Sequence, residues 1–175
     1  SAGVSLNVPV SEWINTSASL SWMQDDFETY FLRSNRRRLE APNNAIAFIG
    51  GGNMASAMIG GLIKQGLPAS SILVVEPFEP MRDKLLQDFG VKAMVAPSPV
   101  LAAAGLIIWA VKPQVFKEAA QQANNFAPTA LHFSVAAGIR SDSIAAWLGS
   151  ENVVRSMPNT PALIGKGMTA LFARP

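Results

Sequence analysis

A glycine-rich turn is the part of this sequence whose residue types and spacing point most directly to chemistry. Gly50, Gly52 and Ala55 follow the spacing Gly-x-Gly-x-x-Gly/Ala, directly after the apolar run 45–49. In this pattern the first glycine permits a tight turn and the second lets a diphosphate approach the backbone. The small third residue lets the helix pack close to the strand. The unpaired N–H groups at such a helix start attract phosphate. The turn therefore predicts dinucleotide binding, with a purely structural glycine turn as the alternative.

The sequence lacks the residues that several other chemistries require. A P-loop needs Gly-Lys-Ser/Thr where this chain has Gly52-Asn53-Met54, which disfavours nucleoside triphosphate hydrolysis. The chain has no Cys, one His and no Gly-x-Ser-x-Gly, so a thiol nucleophile, a Cys- or His-ligated metal and a Ser-His-Asp triad are disfavoured. No metal is expected. His132 lies within an apolar segment and is predicted to be a partly buried, hydrogen-bonded residue rather than a general base.

Glu76 ends the second apolar run, at the distance from the glycine turn where an acidic side chain commonly accepts hydrogen bonds from the adenosine ribose. A carboxylate there repels a 2′-phosphate, which favours NAD over NADP unless Arg82 folds back over the site. A solvated glutamate at a strand end is the alternative.

Two further loops follow predicted strands and would border the rest of a dinucleotide, because ligands of parallel sheets bind beyond the carboxyl ends of the strands. Lys112 in the first loop could reach phosphate or ribose, or be an exposed helix-start lysine. Small residues in the second could admit a flat nicotinamide ring or reflect tight packing. The residues concerned are Ala110, Val111, Lys112, Pro113, Ala136, Ala137 and Gly138.

Composition limits the class of protein. Of 175 residues, 49% are apolar and 15% are charged, which is too apolar for a disordered chain. No apolar run reaches the roughly 18 residues of a membrane span, so no membrane partner is expected. The net charge is +2, with one basic cluster at residues 36–38, and this does not predict a nucleic-acid partner. The start does not read as a secretory signal, and a cytoplasmic location is expected.

Short apolar runs alternate with helical segments from residue 45 onward. This alternation predicts an α/β fold, a doubly wound parallel sheet of the Rossmann type. Residues 1–44 are predicted to be an irregular extension with a helix over 21–38, either docked or mobile, or a contact surface for a partner. The predicted strands are 45–49, 72–75, 91–95, 106–111, 131–136, 153–157 and an edge strand at 168–173. The predicted helices are 53–65, 80–89, 113–125 and 141–148, the last capped by Ser141.

Four segments occur in an order that closely resembles the N-terminal domain of pyrroline-5-carboxylate reductases. They are IAFIGGGNMASAMIGGL at 46–62, AVKPQ at 110–114, SVAAGI at 134–139 and VRSMPNTPALIGKGMTAL at 154–171. The resemblance covers residues 45–175. It implies a Rossmann domain that binds NADP or NAD and passes hydride to 1-pyrroline-5-carboxylate, giving proline. It also implies a C-terminal helical dimerisation domain in a homo-oligomer. That domain is absent from these 175 residues.

The resemblance also assigns site residues. It implies that Gly51, Asn53 and Met54 contact the pyrophosphate and that Ser98 lies on the adenosine side. Residues 110–113 and 136–138 would flank the nicotinamide half, and Asn159 and Thr160 would face the substrate. Glu76 stands where the family often has a small hydroxyl residue facing the 2′-phosphate.

Three functions are compatible with these observations. The first is the cofactor portion of a pyrroline-5-carboxylate reductase, inactive without the helical domain and either monomeric or aberrantly associated. The second is a related imine or 3-hydroxyacid dehydrogenase. The third is a non-catalytic NAD(P)-binding module that uses residues 1–44 as its partner surface.

Overall fold

A computed structural model describes residues 45–158 and 169–174. They form seven strands and four α-helices, numbered here along the chain. The strands are β1 (Ala45–Ile49), β2 (Ile72–Val75), β3 (Ala93–Met94), β4 (Ala104–Trp109), β5 (Leu131–Ser134), β6 (Val153–Pro158) and β7 (Thr169–Ala173). The α-helices are α1 (Asn53–Lys64), α2 (Glu79–Phe89), α3 (Pro113–Ala123) and α4 (Ser141–Leu148), with short 3₁₀ turns at Ala69–Ser71 and Pro99–Ala103.

The strands form one sheet in the order β3-β2-β1-β4-β5-β6-β7. Strands β1 to β6 are parallel, and β7 pairs antiparallel with β6. The chain moves outward from β1 in one direction to β3, and then returns to the other side of β1 to form β4. Ligands of open α/β sheets bind at this switch point, beyond the carboxyl ends of the central strands. The predicted α/β, Rossmann-like fold is confirmed.

Alternate residues of β1 belong to two separate hydrophobic cores, because successive side chains of a strand point to opposite faces of the sheet. Ile46 and Phe48 belong to a core that also holds buried residues of α1 and α2. Ala47 and Ile49 belong to the other, with Phe116 of α3 and residues of α4. All five residues of β1 are buried, as the continuous apolar run predicted. The helices therefore cover both faces and hold the strand ends in fixed positions.

The predicted edge strand is present as β7, but its antiparallel direction was not predicted. Only residues 159–168 join it to β6, and a parallel return would need a crossover of about a dozen residues or more. Arg174, directly after β7, donates to Glu151 (2.6 Å) and pairs with Asp142 at the start of α4. These ion pairs connect the end of the edge strand to α4 and to the segment that precedes β6.

Some predicted boundaries were wrong. Ser141 is the first residue of α4 rather than its cap; Arg140 precedes the helix, and no side chain caps it. The predicted strand 91–95 contains only the two-residue β3. The predicted strand 106–111 begins earlier, at Ala104, and ends at Trp109. The predicted extension 1–44 and its helix at 21–38 lie outside the described residues. No described helix is both long and apolar enough to cross a membrane.

His132 is buried in β5, where the residue is 3% exposed. Its Nδ1 accepts a hydrogen bond from Trp109 Nε1 at 3.2 Å. Burial disfavours the charged imidazole and lowers the pKa of His132 from 6.5 to about 4. This confirms the prediction of a hydrogen-bonded core residue, and the neutral ring with an unprotonated Nδ1 is the form that the Trp109 contact requires.

The single histidine makes stability depend on pH. In the unfolded chain His132 would take up a proton below about pH 6.5, whereas in the folded chain it does so only near pH 4. The free energy of unfolding should therefore fall between pH 6.5 and 4, by roughly 3 kcal/mol from this group. Chemical denaturation at several pH values measures the fall. His132→Asn, which keeps an acceptor that does not titrate, should remove most of the slope above pH 5. An equal slope in both proteins would contradict the assignment.

Candidate functional site

The carboxyl ends of the central strands lie side by side at the switch point. Backbone hydrogen bonds continue the sheet one residue past the strands and hold the following loops together. They run from Gly50 N–H to Val75 O (2.9 Å), Ala110 N–H to Ile49 O (2.9 Å), Glu76 N–H to Met94 O (2.8 Å) and Val135 N–H to Trp109 O (3.2 Å). The structure thus brings the glycine turn, Glu76, the 110–113 loop and the 136–138 loop to one edge of the sheet.

Gly50 makes the turn out of β1 at a position that no other residue fits well. Its φ is +94°, in the region that favours glycine. A Cβ there would lie 2.6 Å from the carbonyl oxygen of Ala110 and 3.0 Å from Cγ1 of Val111. The turn after β1 and the residues that follow β4 are therefore in direct contact.

Gly51 is buried between two other elements. A Cβ on Gly51 would lie 2.8 Å from Cδ1 of Leu85 in α2 and 3.1 Å from Cβ of Glu76. Its N–H donates to Oε2 of Glu76 at 2.7 Å. The resemblance implied a diphosphate contact for Gly51, but its N–H is engaged by Glu76. Leu85 was not singled out by the sequence, although it sits at a buried helical position.

Gly52 differs from the two preceding glycines because a Cβ there would meet nothing within 4 Å among the atoms described. It directly precedes α1, and no side-chain hydrogen bond caps this helix end. Asn53 is exposed and Met54 half-buried, whereas Ala55 is fully buried in the core against the strand. The arrangement leaves open space beside the positive end of α1, which suits a diphosphate.

Glu76 lies at the same edge and is half-buried. Besides the Gly51 contact, its Oε1 accepts the Phe78 N–H at 2.9 Å. Arg82 does fold back toward this turn, where Nη1 donates to the carbonyl oxygens of Glu76 (3.1 Å) and Pro77 (2.6 Å). The Arg82 guanidinium is thus held beside the end of β2, where the sequence predicts the adenosine ribose.

The remaining candidate residues occupy the neighbouring loops. Lys112 is exposed and directly precedes α3, and Pro113 is the first helical residue, where its missing N–H costs nothing. Ala136 is buried, and its N–H donates a hydrogen bond to Ser134 Oγ at 3.3 Å. Ala137 and Gly138 are exposed.

Ser98 precedes the 99–103 turn and its Oγ lies 3.3 Å from Met94 Sδ, beyond the end of β3. Asn159 and Thr160 lie outside the described residues. Among 45–158 and 169–174, no group of three or more His, Asp or Glu side chains could hold a metal ion.

A comparison with protein-family models decides the family. The model described as "NADP oxidoreductase coenzyme F420-dependent" matches residues 45–138, which is more than half of the chain. The chain belongs to this family. The matched segment runs from β1 to the loop after β5, so the family's shared part includes every loop of the candidate cofactor site.

Curated proteins that are similar to this chain include pyrroline-5-carboxylate reductases. The protein from Pseudomonas aeruginosa is 43% identical over 130 residues, covering 73% of this chain and 48% of that protein. The one from Haemophilus influenzae is 44% identical over 131 residues, with the same coverage. The chain spans about half the length of the curated relatives it matches. It corresponds to their N-terminal, NAD(P)-binding portion.

Solved structures agree with the fold. A pyrroline-5-carboxylate reductase from Coxiella burnetii matches with a TM-score of 0.69 and 33% identity, over 74% of this chain and 49% of that chain. The Plasmodium falciparum pyrroline carboxylate reductase with NADP bound matches with a TM-score of 0.62 over 76% of this chain and 49% of that chain. At 24% identity, the second likeness supports the fold alone.

The open space at Gly52 gives a direct test of the diphosphate position. Gly52→Val should fold, because a Cβ at this position meets no described atom within 4 Å and its φ of −67° suits any residue. Loss of a helix-start glycine should cost about 1 kcal/mol. Its affinity for NADPH and NADH should fall at least about tenfold by overlap with the diphosphate. Calorimetric titration and thermal melting measure the two effects separately. Unchanged affinity would contradict the placement.

Gly50→Ala provides the contrast. Its Cβ would collide with a backbone oxygen at 2.6 Å and would require a positive φ, so it should destabilise the fold by about 2 kcal/mol or more. We expect a larger drop in melting temperature for Gly50→Ala than for Gly52→Val. The reverse order would show that the turn is packed differently.

Proposed function

We propose that residues 45–175 form the cofactor domain of a pyrroline-5-carboxylate reductase, with residues 1–44 as an extension of unassigned role. The observation that carries the proposal is the open backbone at Gly52 in a chain that is 43% identical to such a reductase over 130 residues. The full-length protein is proposed to be a homo-oligomer, as the sequence resemblance implied.

NADPH and NADH are the proposed cofactors, with the diphosphate beside Gly52, Asn53 and Met54. When bound, the reduced nicotinamide would supply a hydride to the C=N carbon of 1-pyrroline-5-carboxylate, and the imine nitrogen would take up a proton to give proline. The chain's own contribution is position, because hydride transfer depends on closely fixed reacting atoms. The closely packed strand ends beside Gly50 and Ala110 would supply that fixed geometry.

The loops after β4 and β5 would flank the nicotinamide half. Their small residues, Ala110, Ala136 and Gly138, would let a flat ring lie near the backbone. Asn159 and Thr160 are proposed to face the substrate. On the adenosine side, the guanidinium of Arg82 is held by two backbone carbonyls. It would offset the repulsion between Glu76 and a 2′-phosphate, which supports use of NADPH as well as NADH.

The test is cofactor titration followed by turnover. We expect the chain to bind NADPH or NADH, observed by energy transfer from Trp109 and other tryptophans to the nicotinamide, and to form no measurable proline from the imine by itself. A chimera that joins residues 45–175 to the second half of the Pseudomonas aeruginosa reductase should form proline. The same chimera with Gly52→Val is the matched control and should be strongly impaired.

The outcomes separate the candidate functions. Cofactor binding with an inactive chimera would favour a non-catalytic binding module. Failure of the 175-residue chain to bind either nucleotide would contradict a pyrroline-5-carboxylate reductase and a related imine or 3-hydroxyacid dehydrogenase alike.

A further inference from the structure

The Glu76 side chain turns inward, onto the glycine turn. Oε2 accepts the Gly51 N–H at 2.7 Å, and Oε1 accepts the Phe78 N–H at 2.9 Å. The stem of the side chain also lies over Gly51, since Cβ and Cγ of Glu76 are 3.1 and 3.2 Å from where a Gly51 Cβ would be. Both carboxylate oxygens therefore hold main-chain N–H groups, one in each of the two turns at this edge of the sheet.

The Gly51 contact links two segments that are 25 positions apart in sequence. A hydrogen bond to a charged acceptor is roughly twice as strong as one between neutral groups. Gly51 is buried, and loss of the acceptor would leave its N–H without the partner it has now, at a considerable cost. Leu85 of α2 closes the other side of Gly51, so the carboxylate and this leucine together fix the peptide that leads into Gly52.

We propose that Glu76 is a positioning residue that holds the glycine turn in its phosphate-binding conformation, and that it does not select between NADH and NADPH. This inference rests on the proposed cofactor site. A glutamate that selects NADH must direct its oxygens outward to the ribose 2′ position. Here the carboxylate orients the Gly51 peptide, and through it the backbone beside the diphosphate, which both cofactors share.

The two roles predict opposite changes in the affinity for NADPH. If Glu76 positions the turn, Glu76→Ala weakens NADH and NADPH alike, by about tenfold, and their ratio changes less than about twofold. ADP, which carries the diphosphate but no nicotinamide, loses affinity to the same extent. If Glu76 reads the ribose, Glu76→Ala weakens NADH and strengthens NADPH.

Two variants serve as controls. Glu76→Gln removes the charge but keeps an oxygen that can accept the Gly51 N–H, so it should recover part of the affinity for both cofactors. Glu79→Ala removes one negative charge from the exposed start of α2. It is the control for the gain in phosphate affinity that follows when any nearby negative charge is removed. It should leave both affinities within about twofold.

Amide hydrogen exchange provides a readout that needs no cofactor. The Gly51 amide should exchange at least about tenfold faster in Glu76→Ala than in the parent chain, with Glu79→Ala unchanged. Equal Gly51 exchange rates, or a reversal of the NADH to NADPH ratio, would overturn the inference. If the parent chain binds neither nucleotide, the proposed function fails, and the exchange rates alone decide whether Glu76 holds the turn.

Discussion

The close contact between the turn after β1 and the end of β4 is the constraint on which the site depends. At 2.6 Å from the Ala110 oxygen there is no room for a Cβ at Gly50, so this glycine is required by packing before any ligand is considered. The same holds at Gly51, which Glu76 and Leu85 enclose. Of these three glycines, only Gly52 has free space around it among the described atoms. Three adjacent glycines thus serve two different ends: two fit the turn into the sheet edge, and the third leaves the backbone accessible.

The two-sided core explains why the site keeps this geometry. Parallel strands are buried on both faces, and the central strand β1 contributes alternate residues to each face. Helix α1 is fixed by Ala55, which is fully buried, and its amino end therefore cannot move away from the strand without breaking the core. Because the loops at the strand ends are attached to elements packed in this way, a bound dinucleotide would meet a preformed surface.

Much of this could be predicted from the sequence because local patterns determine it. Three features lie within eleven residues of sequence. The run 45–49 predicts a strand, the glycine spacing predicts a tight turn, and Ala55 predicts a closely packed helix. The direction of β7 could also have been predicted from the short 159–168 connection. Ser141 was misplaced because a serine suits both a cap and a first helical turn, and only the backbone distinguishes them. The inward contact of Glu76 could not be predicted, since it depends on the distance between two turns 25 residues apart.

We propose that the backbone around Gly52 at the start of α1 receives the diphosphate of a dinucleotide. An amide-resolved NMR titration of the labelled chain with ADP tests it most directly. The largest shifts should occur at the amides of Gly52, Asn53 and Met54, with smaller ones at the ends of β2 and β4. Saturable binding whose largest shifts lie away from the carboxyl ends of the strands, or no saturable shift at all, would contradict it.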